Sequence, residues 1–536
     1  MRFITDIHER ISDTLNPIMV RELRQAVHGH FLSVTLLLFL SLQLLVVGLI
    51  VANESLVAGS FNAGRDSFSS LLFVLTATFL LFVPAYAGIR LAIERSDQNV
   101  DLLFITSLRS WSIIWGKCIA ALVFTVLLYS AGMPFIAFTY LLRGIDLPSI
   151  FSLMAINFVV AAAGIQCAIL IGALPVKWAF KLILGMLWLG CLIVVVPSAF
   201  GQAVMPGGLL DLGIANYIGS WRFWGISLCA LVVALTIIGA IALLAAAAIS
   251  PLSANRALPV RSFLTVTWLL TGIGAAVWSY LSNSTAPVGW WAFLHVVLHS
   301  IGLFIAVSER ESVGMRIRRS IPRRWTLRQL AFLFYSGAGG GVAWSCLMMI
   351  LTFAVIVTWS TFFPFMGFPK NIHEILWRLS IEIAYFLSAT LGTHLIQQGL
   401  QIFDFNQLLF SVLPIFAFYT FSYALGAAFI RRCFFANRVS TRYTWVVGLA
   451  LSGISTTVVP VIAFFYSGTW SASFFAASPI GAFLYLDYDH SFEDTSITIA
   501  ISSALLVAVL NIPWFVRQYT NFQPVWQRRA NSVLID

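Results

Sequence analysis

Residues 93–117 read Ile-Glu-Arg-Ser-Asp-Gln-Asn-Val-Asp-Leu-Leu-Phe-Ile-Thr-Ser-Leu-Arg-Ser-Trp-Ser-Ile-Ile-Trp-Gly-Lys. This charged stretch separates two long apolar segments. Its apolar residues recur at the three-or-four spacing of one helix face, at Val100, Leu103, Phe104, Leu108 and Trp111. Ser96 suits the N-cap of such a helix, and Asp97 suits its first turn. The pattern predicts an amphipathic helix on a membrane surface, and a solvated loop between two spans is the alternative.

The composition indicates an integral membrane protein. Hydrophobic residues make up 60% of the 536 residues and charged residues only 10%, whereas soluble domains carry about 25% charged residues. The net charge is +10, and the Lys and Arg residues gather in short loops between apolar runs, as the positive-inside rule expects. Because no basic, aromatic-rich soluble domain is present, we expect no nucleic-acid partner. The six cysteines are scattered and predict neither disulfides nor a zinc site.

Apolar runs of about 20 residues, the length that a hydrocarbon core of about 30 Å requires, follow one another along the chain. The predicted spans lie near 31–52, 68–91, 118–141, 150–173, 183–203, 223–249, 263–281, 289–307, 342–364, 408–429, 442–466 and 497–516. The basic loops place both termini in the cytoplasm. A further run at 377–396 contains Arg378, Glu382 and His394. Because those ionisable residues make it the weakest run, we predict twelve transmembrane helices, with thirteen as the alternative.

The chain is thus predicted to be an all-α polytopic membrane protein. Its parts are an interfacial lead-in at 1–30, a six-span domain at 31–249 with a cytoplasmic segment at 92–117, two further spans at 250–307, a basic linker at 308–330 and four to five spans at 331–536. Asn16-Pro17 predicts a capped helix start for the lead-in, which carries Arg21, Glu22 and Arg24. A generic positive flank would explain these arginines equally well. The linker holds seven arginines. Six of them lie close to Pro322, namely Arg316, Arg318, Arg319, Arg323, Arg324 and Arg328. They predict either a second lead-in that touches anionic headgroups or orientation by charge alone.

Residues 94–117 resemble the cytoplasmic segment after the second span of ABC-2 type transporter permeases. That family pattern is Glu-Arg, a few polar residues, acidic-Leu-Leu, Thr-Pro and then Gly-Lys. Its counterparts here are Glu94-Arg95, Asp101-Leu102-Leu103, Thr106, Leu108 and Gly116-Lys117. The chain departs from the pattern at Asn99-Val100, where the family favours Thr-Leu, and at Ser107, which replaces the proline. The start of the lead-in, Asn-Pro-Ile-Met-Val-Arg-Glu-Leu-Arg, also resembles this family, and the resemblance covers about residues 15–250.

The resemblance implies that the segment is a coupling helix, which sits in a groove on a separate ATPase subunit. Polar contacts to that subunit would come from Glu94, Arg95, Asp97, Asp101, Thr106 and Lys117, while Leu102, Leu103 and Leu108 would seat the helix. The resemblance also implies ATP and Mg on the partner subunit, a homo- or heterodimer of permeases, export rather than import, and a bacterial inner membrane. The chain itself encodes no phosphate loop, so we expect no cofactor and no enzyme activity on it.

Other motifs support weaker hypotheses. The glycine-rich run 337–341 lacks the lysine of a phosphate loop and predicts close helix packing or a hinge. His295 and His299 lie one turn apart on one span, where interhelical hydrogen bonding is the default and a metal the alternative.

Two further functions stay open. Asp487-Tyr488-Asp489-His490 admits a membrane-embedded transferase that acts on a lipid-linked substrate, although a polar turn explains it more simply. Arg378, Glu382 and His394 admit an ion-coupled secondary transporter, although Arg378 and Glu382 would be merely solvated if that segment lies in the interface.

Overall fold

The structure, a computed structural model, describes residues 16–52, 63–96, 110–141, 145–204, 214, 217–251, 253–282, 284–362, 412–435, 440–467, 478 and 490–524. All regular elements in this part of the chain are helices. The described residues divide into two compact units, with the boundary between Pro251 and Leu252.

The first unit contains a short helix and six long ones. They are α1 (Pro17–His28), α2 (His30–Ala52), α3 (Ala63–Ser96), α4 (Ser110–Leu141), α5 (Leu147–Ala173), α6 (Trp178–Val204) and α7 (Trp221–Ile249). Helix α3 is central, because it packs against α2, α4, α5 and α6.

Helix α1 begins where the sequence predicts. The Asn16 side chain accepts a hydrogen bond from Ile18 N at 3.1 Å, and Pro17 occupies the first turn. The buried residues Ile18, Glu22 and Ala26 recur every four positions and so form one face of the helix. Helix α1 packs that face mainly against α4.

Glycine permits the closest helix approach in the first unit, between α3 and α5. A Cβ on Gly88 would lie 2.8 Å from Ala168 O, and one on Gly172 would lie 2.5 Å from Gly88 O. Both distances are shorter than van der Waals contact, so only glycine fits at these two positions. Small residues allow such approach between membrane helices, whose association depends on packing rather than on exclusion of water.

The second unit begins with two long helices and two short ones, α8 (Ala257–Ser282), α9 (Ala286–Val307), α10 (Met315–Ser320) and α11 (Trp325–Phe334). It continues with α12 (Ala338–Phe362), α13 (Leu413–Phe434), α14 (Thr444–Gly453), α15 (Val459–Ser467) and α16 (His490–Asn521). A π-helical turn, Ile454–Val458, joins α14 to α15.

Several helix ends meet at one end of the second unit. The contacts that join them are the ion pairs Arg261–Glu309 and Arg431–Glu311 and the hydrogen bonds Trp445–Ser308 and Gln329–Tyr519. Helix α12 starts at this end and α13 finishes there, so the chain leaves α12 and enters α13 at the opposite end. That alternation agrees with the twelve-span arrangement, while the segment 377–396 itself lies outside the described residues.

The glycine-rich run before and within α12 allows close packing, as predicted. A Cβ on Gly340 would overlap Phe332 O, and one on Gly341 would lie 2.5 Å from Arg261 Nη2 and 2.6 Å from Ala306 Cβ. The Arg261 guanidinium in turn donates to Leu333 O at 2.9 Å and to Tyr335 O at 2.6 Å. Glycine therefore leaves room for a buried arginine that holds the end of α11.

The prediction of an all-α polytopic membrane protein is confirmed. Within the described residues, eleven helices are long and apolar enough to cross a membrane, and each coincides with a predicted span. The predicted span at 183–203 lies within α6, whose part Trp178–Gly190 is apolar but shorter than those eleven. Large apolar side chains such as Leu37 and Leu44 are exposed on α2, as a surface that faces lipid requires.

The helices that flank the charged segment extend further than predicted. Ser96 is the last residue of α3, and Trp111 belongs to α4, which starts at Ser110. Ion pairing and carbonyl contacts of Glu94 and Arg95 hold the last turn of α3 in helical form. The rest of the predicted coupling helix, 97–109, lies outside the described residues.

Candidate functional site: a charged junction that flanks residues 97–109

Four charged side chains from three helices meet in the first unit, and we name them the charged junction: Glu22 on α1, Arg90 and Glu94 on α3, and Lys117 on α4. Lys117 Nζ lies 2.6 Å from Glu22 Oε1 and 2.9 Å from Glu94 Oε2. Arg90 Nε lies 3.6 Å from Glu22 Oε2. Lys117 thus joins α1 and α3 to α4. The two positive charges of Lys117 and Arg90 balance the two negative charges of Glu22 and Glu94.

Local sequence explains how each charge reaches the junction. Glu22 occupies the middle of the buried face of α1, between Ile18 and Ala26. Arg90 and Glu94 lie four residues apart and therefore project from one face of α3. Lys117 lies two turns into α4, close enough to the end of that helix to meet the last turn of α3.

Gly116 brings α1 close enough for this contact. A Cβ at this position would lie 3.0 Å from both Cβ and Cγ2 of Ile18 and 3.1 Å from Asn16 Nδ2. Asn16 Nδ2 also donates to Ser112 O at 2.6 Å. The residue that caps α1 therefore also ties it to α4, and the Gly116-Lys117 pair supplies the space and the charge for docking.

Two side chains of the charged junction are buried. The Lys117 side chain is 4% exposed and that of Glu22 is 7% exposed. Removing one partner of a buried ion pair costs about 3–5 kcal/mol, because the remaining charge is left without compensation in a low dielectric. Movement of α1 away from α3 and α4 would carry a similar cost, so the three helix ends should move as one body.

Arg90 lies against an aromatic pair. Its guanidinium lies over the Tyr86 ring at 5.3 Å, donates to the Tyr86 hydroxyl and also donates to Gln25 Oε1. Tyr86 stacks on Phe31 at 4.9 Å between ring centroids. A planar guanidinium suits this combination of stacking and several hydrogen bonds, so Arg90 links α1 and α3 by more than its contact with Glu22.

Arg95 contacts the ends of α5 and α7, whereas its neighbour Glu94 contacts Lys117 on α4. Its guanidinium donates to Ala173 O at the end of α5 and, at 3.2 Å, to Ala248 O at the end of α7. Lys181 Nζ donates to Gly172 O at 2.8 Å. Cations at the carboxyl ends of helices satisfy free carbonyls and oppose the helix dipole. Arg95 thus joins α3 to two further helix ends.

The structure brings together three of the residues singled out in the sequence, Glu22, Glu94 and Lys117. Arg21 and Arg24 are exposed on α1. Six of the candidate coupling residues lie outside the described residues, namely Asp97, Asp101, Leu102, Leu103, Thr106 and Leu108.

Sequence reasoning missed Arg90, Tyr86 and Gln25. The spacing of Arg90 and Glu94 was an available signal, since two opposite charges four apart at the end of an apolar run predict one charged face. No comparable signal marks Gln25 or Tyr86, because their contact with Arg90 depends on how α1 packs.

Other candidate residues have structural partners or fall outside the description. His295 Nε2 lies 2.9 Å from Thr271 Oγ1 on α8, the interhelical hydrogen bond that was the default expectation. Across the described residues, no group of three or more His, Cys, Asp or Glu is arranged to hold a metal ion. The segments 377–396 and 487–489, on which the transporter and transferase hypotheses rest, are outside the described part of the chain.

Comparison with known proteins gives no match: no protein-family model, no curated protein and no solved structure matches this chain.

Replacing Gly116 by Val should loosen α1. The added Cβ and methyl groups would meet Ile18, so α1 must move outward and weaken the Lys117–Glu22 contact, at a cost of about 1–3 kcal/mol. Faster amide hydrogen exchange across Pro17–His28 would reveal this loosening. Gly48→Val is the matched control, because a Cβ at Gly48 meets nothing within 4 Å. Equal exchange in the two variants would contradict the docking role of Gly116.

Proposed function

We propose that this chain is the permease subunit of an ATP-driven exporter of the ABC-2 type. ATP would be hydrolysed by separate ATPase subunits, and residues 94–108 would receive the resulting mechanical work. This function is the one that the charged junction and the sequence resemblance support together.

One observation carries the proposal. Glu22, Glu94 and Lys117 come from the two regions that resemble ABC-2 permeases. They form one ion-pair cluster around the buried Lys117, whose Nζ lies within 3 Å of both carboxylates. The cluster clamps the two helices that bracket residues 97–109 and fastens α1 to both. A generic cytoplasmic loop needs no such clamp.

The geometry supports a simple mechanism. A force on residues 97–109 reaches α3 and α4 at Ser96 and Ser110, and Lys117–Glu94 joins these helices close to that point. Arg95 connects α3 to the ends of α5 and α7. The helix ends would therefore tilt together, and the opposite ends would open a path outward. Asp97, Asp101 and Thr106 would add polar contacts to the ATPase, with Leu102, Leu103 and Leu108 seated in its groove, while Glu94 and Arg95 keep their partners within this chain.

The proposal includes the assembly and the location of the protein. Two permease subunits, identical or different, would form the pore in the bacterial inner membrane, with both termini in the cytoplasm and lipid around the exposed apolar surfaces. ATP and Mg would belong to the partner ATPase.

Cross-linking from residues 101 and 108 tests this function. We expect the full chain, carrying Asp101→Cys or Leu108→Cys and purified from its native membranes, to bring with it a phosphate-loop ATPase and to cross-link to it. Tyr217→Cys, an exposed position at the opposite end of the first unit, is the control and should not cross-link. Purification of an active chain without any companion protein would overturn the proposal. So would labelling of the Asp101→Cys variant at its new thiol by a membrane-impermeant reagent added outside intact cells.

A further inference from the structure

A basic surface lies on the second unit, formed by α10, α11 and their connection, and we name residues 315–334 the arginine platform. The segment contains six arginines and no acidic residue. Arg316, Arg319 and Arg324 are exposed. These three exposed arginines concentrate positive charge on one surface, and an external anion would offset their mutual repulsion.

One side of the arginine platform is firmly packed. The Phe332 ring lies 5.5 Å from that of Phe522 on one side and 5.5 Å from that of Tyr519 on another. Ile317 and Ile321 are buried. Arg261 holds the carbonyls that follow Phe332, as described above. The orientation of the platform is therefore fixed by the fold rather than free to adapt.

The other side of the platform presents large apolar groups among the charges. Trp325 is 65% exposed, Met315 59% and Leu330 54%, and Leu327 is exposed as well. A tryptophan and leucines beside arginines form the pattern of a helix that lies in a membrane interface, where the apolar groups enter the acyl boundary and the cations remain with the headgroups.

Further positive charge is concentrated at the same end of the unit. Burial, together with the charges of Arg310 and Arg442, lowers the pKa of Arg256 from its ordinary value. Glu309 and Glu311 are engaged by Arg261 and Arg431. These two carboxylates thus already have partners outside the arginine platform.

From these observations we infer that the arginine platform is a binding surface for anionic phospholipid headgroups of the cytoplasmic leaflet, anchored by Trp325. The exposed arginines would bind the headgroup phosphates, and the exposed apolar side chains would insert between the acyl chains. The packed side of the platform keeps both groups facing outward. This inference does not depend on the transport proposal, because it concerns a different unit and a different ligand.

Lipid binding to the full-length protein tests the inference. Each basic residue near an anionic surface contributes roughly a fivefold gain in affinity. The double variant Arg319→Gln/Arg324→Gln should therefore bind phosphatidylglycerol roughly 25-fold more weakly than the unaltered chain, measured by native mass spectrometry in detergent. Phosphatidylcholine binding should stay the same in both. Lys177→Gln/Arg222→Gln removes the same charge from exposed positions on the first unit and should leave phosphatidylglycerol affinity unchanged.

A second substitution separates the headgroup contribution from the apolar one. Trp325→Ala should weaken binding of phosphatidylglycerol several-fold without changing its salt dependence, whereas the arginine double variant should reduce that dependence. Inorganic phosphate should compete poorly, because it lacks the acyl chains. Equal loss in the Lys177/Arg222 variant, or equal affinity for the two lipids, would overturn the inference. So would tighter binding of single-stranded RNA than of phosphatidylglycerol, which would assign the platform to another partner.

Discussion

Lys117→Met is expected to destabilise the first unit by about 3–5 kcal/mol. Methionine matches the length and apolar stem of lysine. It leaves the buried Glu22 carboxylate and the partly buried Glu94 carboxylate beside each other without their shared cation. Arg90 would still face Glu22, at 3.6 Å, but it does not reach Glu94 in the present geometry. Two like charges would then repel at the point where α1, α3 and α4 are joined.

Alkylation of Cys118 gives a local measurement of this loss. Cys118 is a free, buried thiol directly after Lys117, so it reacts only when the base of α4 opens. We expect its temperature of half-maximal alkylation, followed by peptide mass spectrometry, to fall by several degrees in Lys117→Met. Lys177→Met changes an exposed lysine of the same unit and should leave the temperature unchanged. Lys117→Arg keeps the positive charge, so its temperature of half-maximal alkylation should lie between those of Lys117→Met and Lys177→Met.

A double substitution distinguishes a charge effect from a packing effect. If the cost comes from uncompensated carboxylates, Glu22→Gln should recover part of the stability that Lys117→Met removes, so the two changes should not add. Full additivity, or an unchanged alkylation temperature in Lys117→Met, would contradict the electrostatic account of the charged junction.

Helix α1 shows how far sequence reasoning reaches. Asn16-Pro17 fixed its start, since capping and the first-turn proline are local effects that a short window contains. The burial of Glu22 could not be inferred in the same way. A glutamate on an amphipathic helix is ordinarily solvated, and only the approach of α4 over Gly116 gives it a buried lysine as partner.

The charged junction was therefore predictable in composition but not in arrangement. Glu94 and Lys117 were identified by their places in a motif, and Glu22 by its place in the lead-in. Their mutual contact depends on the packing of three helices separated by many residues, which no local pattern encodes. The contacts of Arg95 were equally unpredictable. Its neighbour Glu94 faces Lys117, while Arg95 itself donates to carbonyl groups of two other helices.

The membrane spans were the most predictable feature, because length and apolarity alone determine them. Helix ends were less so. Helix α4 begins at Ser110, eight residues before the span that the sequence predicts. In this first part of the helix, the Asn16 side chain of the α1 cap donates a hydrogen bond to Ser112 O, which water would otherwise hydrate.

Gly340→Ala is expected to destabilise the second unit by about 3 kcal/mol, at the upper end of ordinary overpacking. The new Cβ would overlap the carbonyl oxygen of Phe332, a backbone atom that cannot rotate away as a side chain can. Helix α11 would have to separate from α12, and Arg261 would then lose its hydrogen bonds to Leu333 O and Tyr335 O.

The glycine run supplies its own control. A Cβ on Gly337 meets nothing within 4 Å, and Gly337→Ala keeps the backbone N–H that donates to Glu309 Oε2 at 2.7 Å. We therefore expect the temperature of half-maximal alkylation of the free Cys346 on α12 to fall markedly in Gly340→Ala and to change little in Gly337→Ala.

Comparing Gly340→Ala with Gly337→Ala also distinguishes the two roles that a glycine run can have in a membrane helix. If the run serves close packing, only the glycines that face a neighbour should resist substitution, and Gly337 should be replaceable. If it serves as a hinge, added Cβ atoms should stiffen it wherever they are placed, so Gly337→Ala and Gly340→Ala should have similar effects. The position of Arg261 beside Gly341, with a buried guanidinium 2.5 Å from where a Cβ would lie, favours packing.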